Sequence, residues 1–141
     1  MNVFALLRRL GRAGPDSGAL GRAGEVLAAQ YMRSQGYRVL GQNLRVTAGE
    51  ADLLCEDPRT NGIVLVEVKT RRREQAALDR HAPEVAINAR KRARLLAIAK
   101  TMRRSNAWFK RPMRIDVIAI DYIQGQPEPH IRHHVNAVQD R

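Results

Sequence analysis

The sequence predicts an α/β domain built on a largely covered sheet. Three observations predict it. Residues 63–68 read IVLVEV, a β-branched run apolar enough for a central strand covered on both faces. Residues 21–35 and 83–104 place apolar side chains three and four apart, the spacing of amphipathic helices. The remaining strand-like segments give the order helix, three strands, helix, strand, strand.

Each element has its own reason. Residues 1–18 are expected to be a basic, flexible tail, and residues 19–141 a single domain. The opening MNVFALLRRL puts its apolar patch before its arginines, the reverse of a secretory signal. Arg12-Ala-Gly-Pro-Asp-Ser-Gly18 reads as a linker. The first helix, 21–35, gathers Leu27, Ala28, Tyr31 and Met32 on one face and stops at Gly36. Residues 37–40 form a first strand that 44–46 extends or turns from. Residues 47–49 form a turn, and 51–55 a second strand. Residues 56–62 hold Pro58 and Gly62 and read as a polar turn before the 63–68 strand. Residues 71–81 read as a charged loop. The second helix opens at Pro83 and buries Leu95, Ile98, Ala99 and Met102. Residues 114–120 form a fourth strand and 131–135 a final edge strand.

The chain has 25 Lys plus Arg against 14 Asp plus Glu, a formal net charge of +11. Residues 70–114 alone hold fourteen basic and three acidic residues, a net charge equal to the whole excess. A folded object so charged implies a polyanionic partner: nucleic acid, an anionic membrane surface or an acidic protein. The single cysteine, Cys55, excludes an intrachain disulfide and a cysteine-based zinc site. It suits a reducing compartment, the cytoplasm. No apolar run approaches membrane-span length. Cys55 itself reads as a small buried residue.

Asp52, Glu67 and Lys69 are the residues that suggest chemistry. Glu67 and Lys69 share one strand face, while Val64, Val66 and Val68 point the other way. An acid and a lysine on the most apolar strand are costly unless paired or functional. If the strands pair, Asp52 converges on Glu67. Two such carboxylates, with a backbone carbonyl and waters, suit Mg²⁺ or Mn²⁺. Such an ion polarises a phosphoryl oxygen, and Lys69 can orient water or stabilise developing charge. Spacing alone equally allows a buried Glu67–Lys69 ion pair with Asp52 as a turn acid.

These motifs, taken in order, resemble the PD-(D/E)xK nuclease superfamily with its restriction-endonuclease-like core. More narrowly, the chain is similar to the YraN-like bacterial family of predicted endonucleases. The matching stretches are Gly21-Arg-Ala-Gly-Glu25, Gly49-Glu-Ala-Asp-Leu53, Val66-Glu-Val-Lys-Thr-Arg71, Lys91 with its flanking arginines, and Arg114-Ile-Asp-Val117. The resemblance implies an α-β-β-β-α-β core with a mixed sheet, and a divalent-metal-dependent endonuclease acting on DNA, on branched or damaged structures. Archaeal Holliday-junction resolvases look similar in the same core and carry an acid in the first helix. By that resemblance Glu25 joins Asp52 and Glu67 at the metal. Read without it, Glu25 is a first-turn acid that complements the helix dipole. Glu50 is a secondary candidate. A homodimer follows by the same analogy.

Arg71, Arg72, Arg73, Arg90, Lys91, Arg92 and Arg94 are the expected phosphate contacts. Lys91 lies near the core-facing edge of its helix, turned toward the site. Trp108-Phe109 reads as closing the core in preference to stacking on bases. His130, His133 and His134 read as surface histidines in preference to metal ligands. The rival functions are a non-catalytic nucleic-acid-binding module on the same fold and a basic membrane-surface or protein-interaction adaptor.

Overall fold

The computed structural model describes residues 17–74 and 87–140. Helix α1 (Ser17–Ser34) is followed by strands β1 (Arg38–Val46), β2 (Gly49–Asp57) and β3 (Gly62–Arg73). Helix α2 (Ala89–Ser105) and strands β4 (Met113–Ile123) and β5 (His130–Val138) complete the order. The strands form one sheet in chain order. All neighbours are antiparallel except β3 and β4, which run parallel and need the α2 crossover between them. The expected α-β-β-β-α-β core is thus present, with β5 added on its edge.

Alternation along β3 builds two cores. Val64 and Val66 face α1, packing with Leu27, Ala28, Met32, Ile118 and Ile120. Ile63 and Leu65 face α2, packing with Leu95, Ile98, Met102 and Ile115. The near-continuous apolar run reflects this covering of both faces. Glu67 and Lys69 continue the α2-facing row.

The first helix ends as its sequence indicates. Tyr37 N–H donates to the Met32 carbonyl and Gly36 N–H to the Arg33 carbonyl, with Gly36 at φ 93°. This Schellman closure requires the left-handed conformation that glycine adopts freely. A second glycine sets how close the helix comes. A Cβ on Gly24 would stand 1.9 Å from Thr70 Cγ2 on β3. Gly24→Ala is therefore expected to lower stability by about 1–3 kcal/mol through overpacking, despite alanine's better helix propensity. Thermal denaturation checks this, and trimming the opposing methyl with Thr70→Ser should recover part of the loss. An unchanged midpoint would mean that α1 backs away freely.

Element ends differ from expectation for identifiable reasons. Helix α1 begins at Ser17, so Ser17 and Gly18 are helical and not linker. β3 continues through residues 71–73, expected as a loop, because β4 pairs with them residue by residue, Arg71 with Asp121 and Arg73 with Ile123. Helix α2 begins at Ala89, where the Asn88 side chain accepts Lys91 N–H at 2.8 Å. Pro83, the expected start, and most of the expected loop lie outside the described residues, as do residues 1–16.

His133 is not a surface residue. Its side chain is 9% exposed, and Nε2 lies 2.7 Å from Asp116 Oδ2. Asp116 is fully buried. It also accepts from Arg114 Nε at 2.9 Å, Arg114 Nη2 at 3.1 Å and Asn136 N–H at 2.9 Å. Arg114 bonds the Tyr37 hydroxyl as well, and Tyr31 and Tyr37 meet the His133 ring edge-on. Trp108 packs against the α2-side core as expected, whereas Phe109 is exposed. Cys55 is buried.

Candidate active site

The β2–β3 ladder runs from Asp57–Gly62 to Leu53–Val66. One residue beyond that pair, the Asp52 carboxylate accepts Val68 N–H at 2.8 Å. A side chain thus satisfies a donor that a strand carbonyl would otherwise take. Asp52 is pinned where the ladder ends, turned toward the next residue of β3, Glu67. The Glu67 carboxyl stands close enough for its charge to act on Asp52. Glu67 is buried and forms an ion pair with Lys91 of α2, Nζ to Oε1 2.5 Å.

Burial, then the charge of Glu67, push Asp52 up to about 7, against the pull of the Val68 N–H. Glu25 adds to the same push from α1. Because α1 begins at Ser17, Glu25 lies well inside the helix and is not its first-turn acid. Burial, followed by the charges of Lys91 and Arg71, holds Lys69 below its ordinary range. Asp52, Glu67, Lys69 and Lys91 therefore act on one another across a small volume, with Glu25 at its margin. Glu50 is exposed and faces Arg45 at 3.7 Å, outside this group.

Among the described residues, no three His, Cys, Asp or Glu side chains close on one point as a metal cage. The Asp52–Glu67 pair itself fits a hard divalent cation. Mg²⁺ commonly takes only one or two carboxylates and keeps several waters. Two desolvated, mutually repelling carboxyls gain from a cation between them. Asp52 and Glu67 are the residues that would hold it.

The basic residues divide. Arg71, Arg72, Arg90 and Arg94 make no ion pair with an acid among the described residues, and Arg72, Arg90 and Arg94 are exposed. Arg73 is 12% exposed and pairs with the buried Asp121 at 3.5 Å. Arg92 donates to the Gln139 carbonyl, tying α2 to the end of β5. Arg73 and Arg92 thus serve internal contacts. The Lys91–Glu67 pair adds a partner that helix spacing pointed toward without identifying.

The raised Asp52 carries a pH signature. The unfolded chain loses this proton near 3.8, the folded chain only near 7. Its contribution to stability is full below the lower value and is lost as pH rises to the upper one. Asp52→Asn should remove that slope. Between the two values wild type should lose roughly 1–3 kcal/mol relative to the variant. Urea denaturation at stepped pH in EDTA measures it. Parallel curves would place the proton elsewhere.

Residues 24–120 match Uncharacterised protein family UPF0102, the YraN-like family, and the chain belongs to it. Relatives of the same description are 36% identical in Anaeromyxobacter dehalogenans, covering 87% of this chain and 88% of that one. The relative in Syntrophomonas wolfei is 39% identical, covering 84% and 96%. Among solved structures, the EndoMS-dsDNA2 complex is similar at TM-score 0.42 and 18% identity, over 74% of this chain and 38% of that chain. A repair endonuclease from Pyrococcus abyssi is similar at TM-score 0.43 and 14% identity, over 84% and 43%. This chain spans less than half of either.

Proposed function

We propose that this protein is a divalent-metal-dependent endonuclease acting on DNA. The observation that carries the reading is the Asp52–Glu67 pair. Two acids are driven together at the end of a ladder, at the cost of a strongly raised Asp52, beside two lysines. Clustered perturbed groups of this kind mark functional sites. When bound, Mg²⁺ or Mn²⁺ would supply charge stabilisation at a phosphoryl oxygen. Asp52, fixed by Val68 N–H, sets the position of the pair. Glu67 would be the second ligand, on the same strand face as Lys69. The Lys69 ammonium orients water or balances charge on the phosphate. Glu25 strengthens the negative field around Asp52. Arg71, Arg72, Arg90 and Arg94 are the phosphate contacts left by the internal pairs, and such contacts position a duplex without reading its sequence. A symmetric dimer would suit cutting both strands, and sedimentation checks it.

The test incubates purified protein with plasmid, single-stranded and four-way-junction DNA in Mg²⁺, Mn²⁺ or EDTA. Cutting with metal, absent in EDTA and in Asp52→Ala, is the expected result. Cutting that persists in Asp52→Ala would trace to a contaminant. A second reading, a non-catalytic nucleic-acid binder, is favoured by the Lys91–Glu67 pair, since an ammonium already neutralises one acid. Binding without cutting on every substrate would leave that reading standing.

A further inference from the structure

We infer that Lys91 is a tethered counter-ion of the acidic pair, one that competes with a divalent cation for Glu67 and couples occupancy of the site to the first turn of helix α2. The inference rests on the metal-centre reading above. The ammonium nitrogen stands 2.5 Å from Glu67 Oε1, and both side chains are largely withdrawn from solvent. Its backbone position is fixed independently, because Lys91 N–H is the donor to the Asn88 cap. The ammonium therefore reaches the carboxylate from a rigid turn.

That placement opposes local electrostatics. The N-terminal turn of a helix carries partial positive charge and favours acids. The first turn of α2 contains no acid and carries Arg90, Lys91 and Arg92 instead. The helix dipole and the cap give no reason for a cation there, whereas Glu67 does. Without its cation, Glu67 would face Asp52 with Lys69 beside it, two carboxyls in a poorly solvated space. Lys91 supplies the missing positive charge. A divalent cation between Asp52 and Glu67 would supply the same charge twice over. The two cations then repel at short range in a low-dielectric setting, and the tethered one is the one that moves.

The test needs no DNA and no turnover. Mn²⁺ binding is measured by calorimetry at pH 8 for wild type, Lys91→Met, Lys91→Gln and Lys91→Arg, with thermal melts with and without metal. The expected result is about tenfold tighter Mn²⁺ binding in Lys91→Met and Lys91→Gln, with Lys91→Arg close to wild type. Both neutral variants should melt below wild type without metal and recover most of that gap at saturating Mn²⁺. A purely structural lysine would move stability and affinity in the same direction, so the opposed signs are diagnostic. Equal or weaker binding in both neutral variants overturns the competition while leaving the metal centre intact. No Mn²⁺ binding in wild type or variants, or binding undiminished in Asp52→Asn, overturns the metal-centre reading as well.

Discussion

Asp116→Ala is expected to cost about 3–5 kcal/mol of folding stability, a large share of the total for a domain of this size. Asp116 is fully buried and accepts from Arg114, His133 and Asn136 N–H. Burial alone would push its carboxyl up. The hydrogen bonds from His133, Arg114 and Asn136 outweigh that, and the group sits below its usual range. Removing the carboxylate leaves a guanidinium, an imidazole and a backbone donor facing the α1-side core without their acceptor. The network also joins three elements, because Arg114 bonds Tyr37 before β1 and His133 lies on β5. Urea denaturation with circular dichroism measures the loss. Asp116→Asn, which keeps an acceptor oxygen but not the charge, should lose less. A loss under about 1 kcal/mol for the alanine variant would mean that the surroundings rearrange to satisfy these groups.

In the proposed reaction, Lys69→Met is expected to slow metal-dependent cleavage by about 10²–10³-fold, the scale for losing one charge-stabilising donor. Metal affinity should stay within a few-fold, because Lys69 is not one of the carboxylates that would hold the ion. Asp52→Asn should instead lose metal binding and cleavage together. The split between the two variants separates a role at the reacting phosphate from a role in holding the ion, and calorimetry beside a plasmid-nicking time course reads both. Equal loss of affinity in Lys69→Met would assign the lysine to metal-site electrostatics. The geometry makes the experiment clean, since Lys69 lies on the sheet face beyond Glu67 and is partly exposed, so methionine fits without opening a cavity.

The residues that were legible in the sequence are those whose position follows from short-range pattern. IVLVEV announced β3 because β-branched, two-faced burial leaves a continuous apolar run, and the same run fixed which side Glu67 and Lys69 share. Gly36 announced the end of α1 because a Schellman closure needs a positive φ. What was missed depended on a distant partner. Arg71 to Arg73 read as loop since three arginines have no strand signature, yet β4 and Asp121 hold them in the sheet. His133 read as surface because nothing local shows that Asp116 waits beneath it. The available signal was an acid inside RIDVIAI, where a buried carboxylate demands a partner. Pro83 suits a helix start by its fixed φ, but Asn88 supplies the cap of α2. Lys91 was placed near the site by helix spacing, whereas its contact with Glu67 needed the crossover to be in place.

The parallel pairing of β3 with β4 also sets an order of events during synthesis. β1, β2 and β3 are joined by short turns and can pair as they emerge. The other edge of β3 stays open until α2 and β4 have followed, because Ile63 pairs with Met113. Such a non-local closure is slow. Over that interval a strongly apolar strand presents one unpaired edge. The flank that follows it reads Glu67, Lys69, Arg71, Arg72, Arg73, charges of the gatekeeper kind that discourage edge-to-edge association. The charges proposed to hold a metal and grip a phosphate would thus have an earlier task, guarding a nascent strand until its partner arrives.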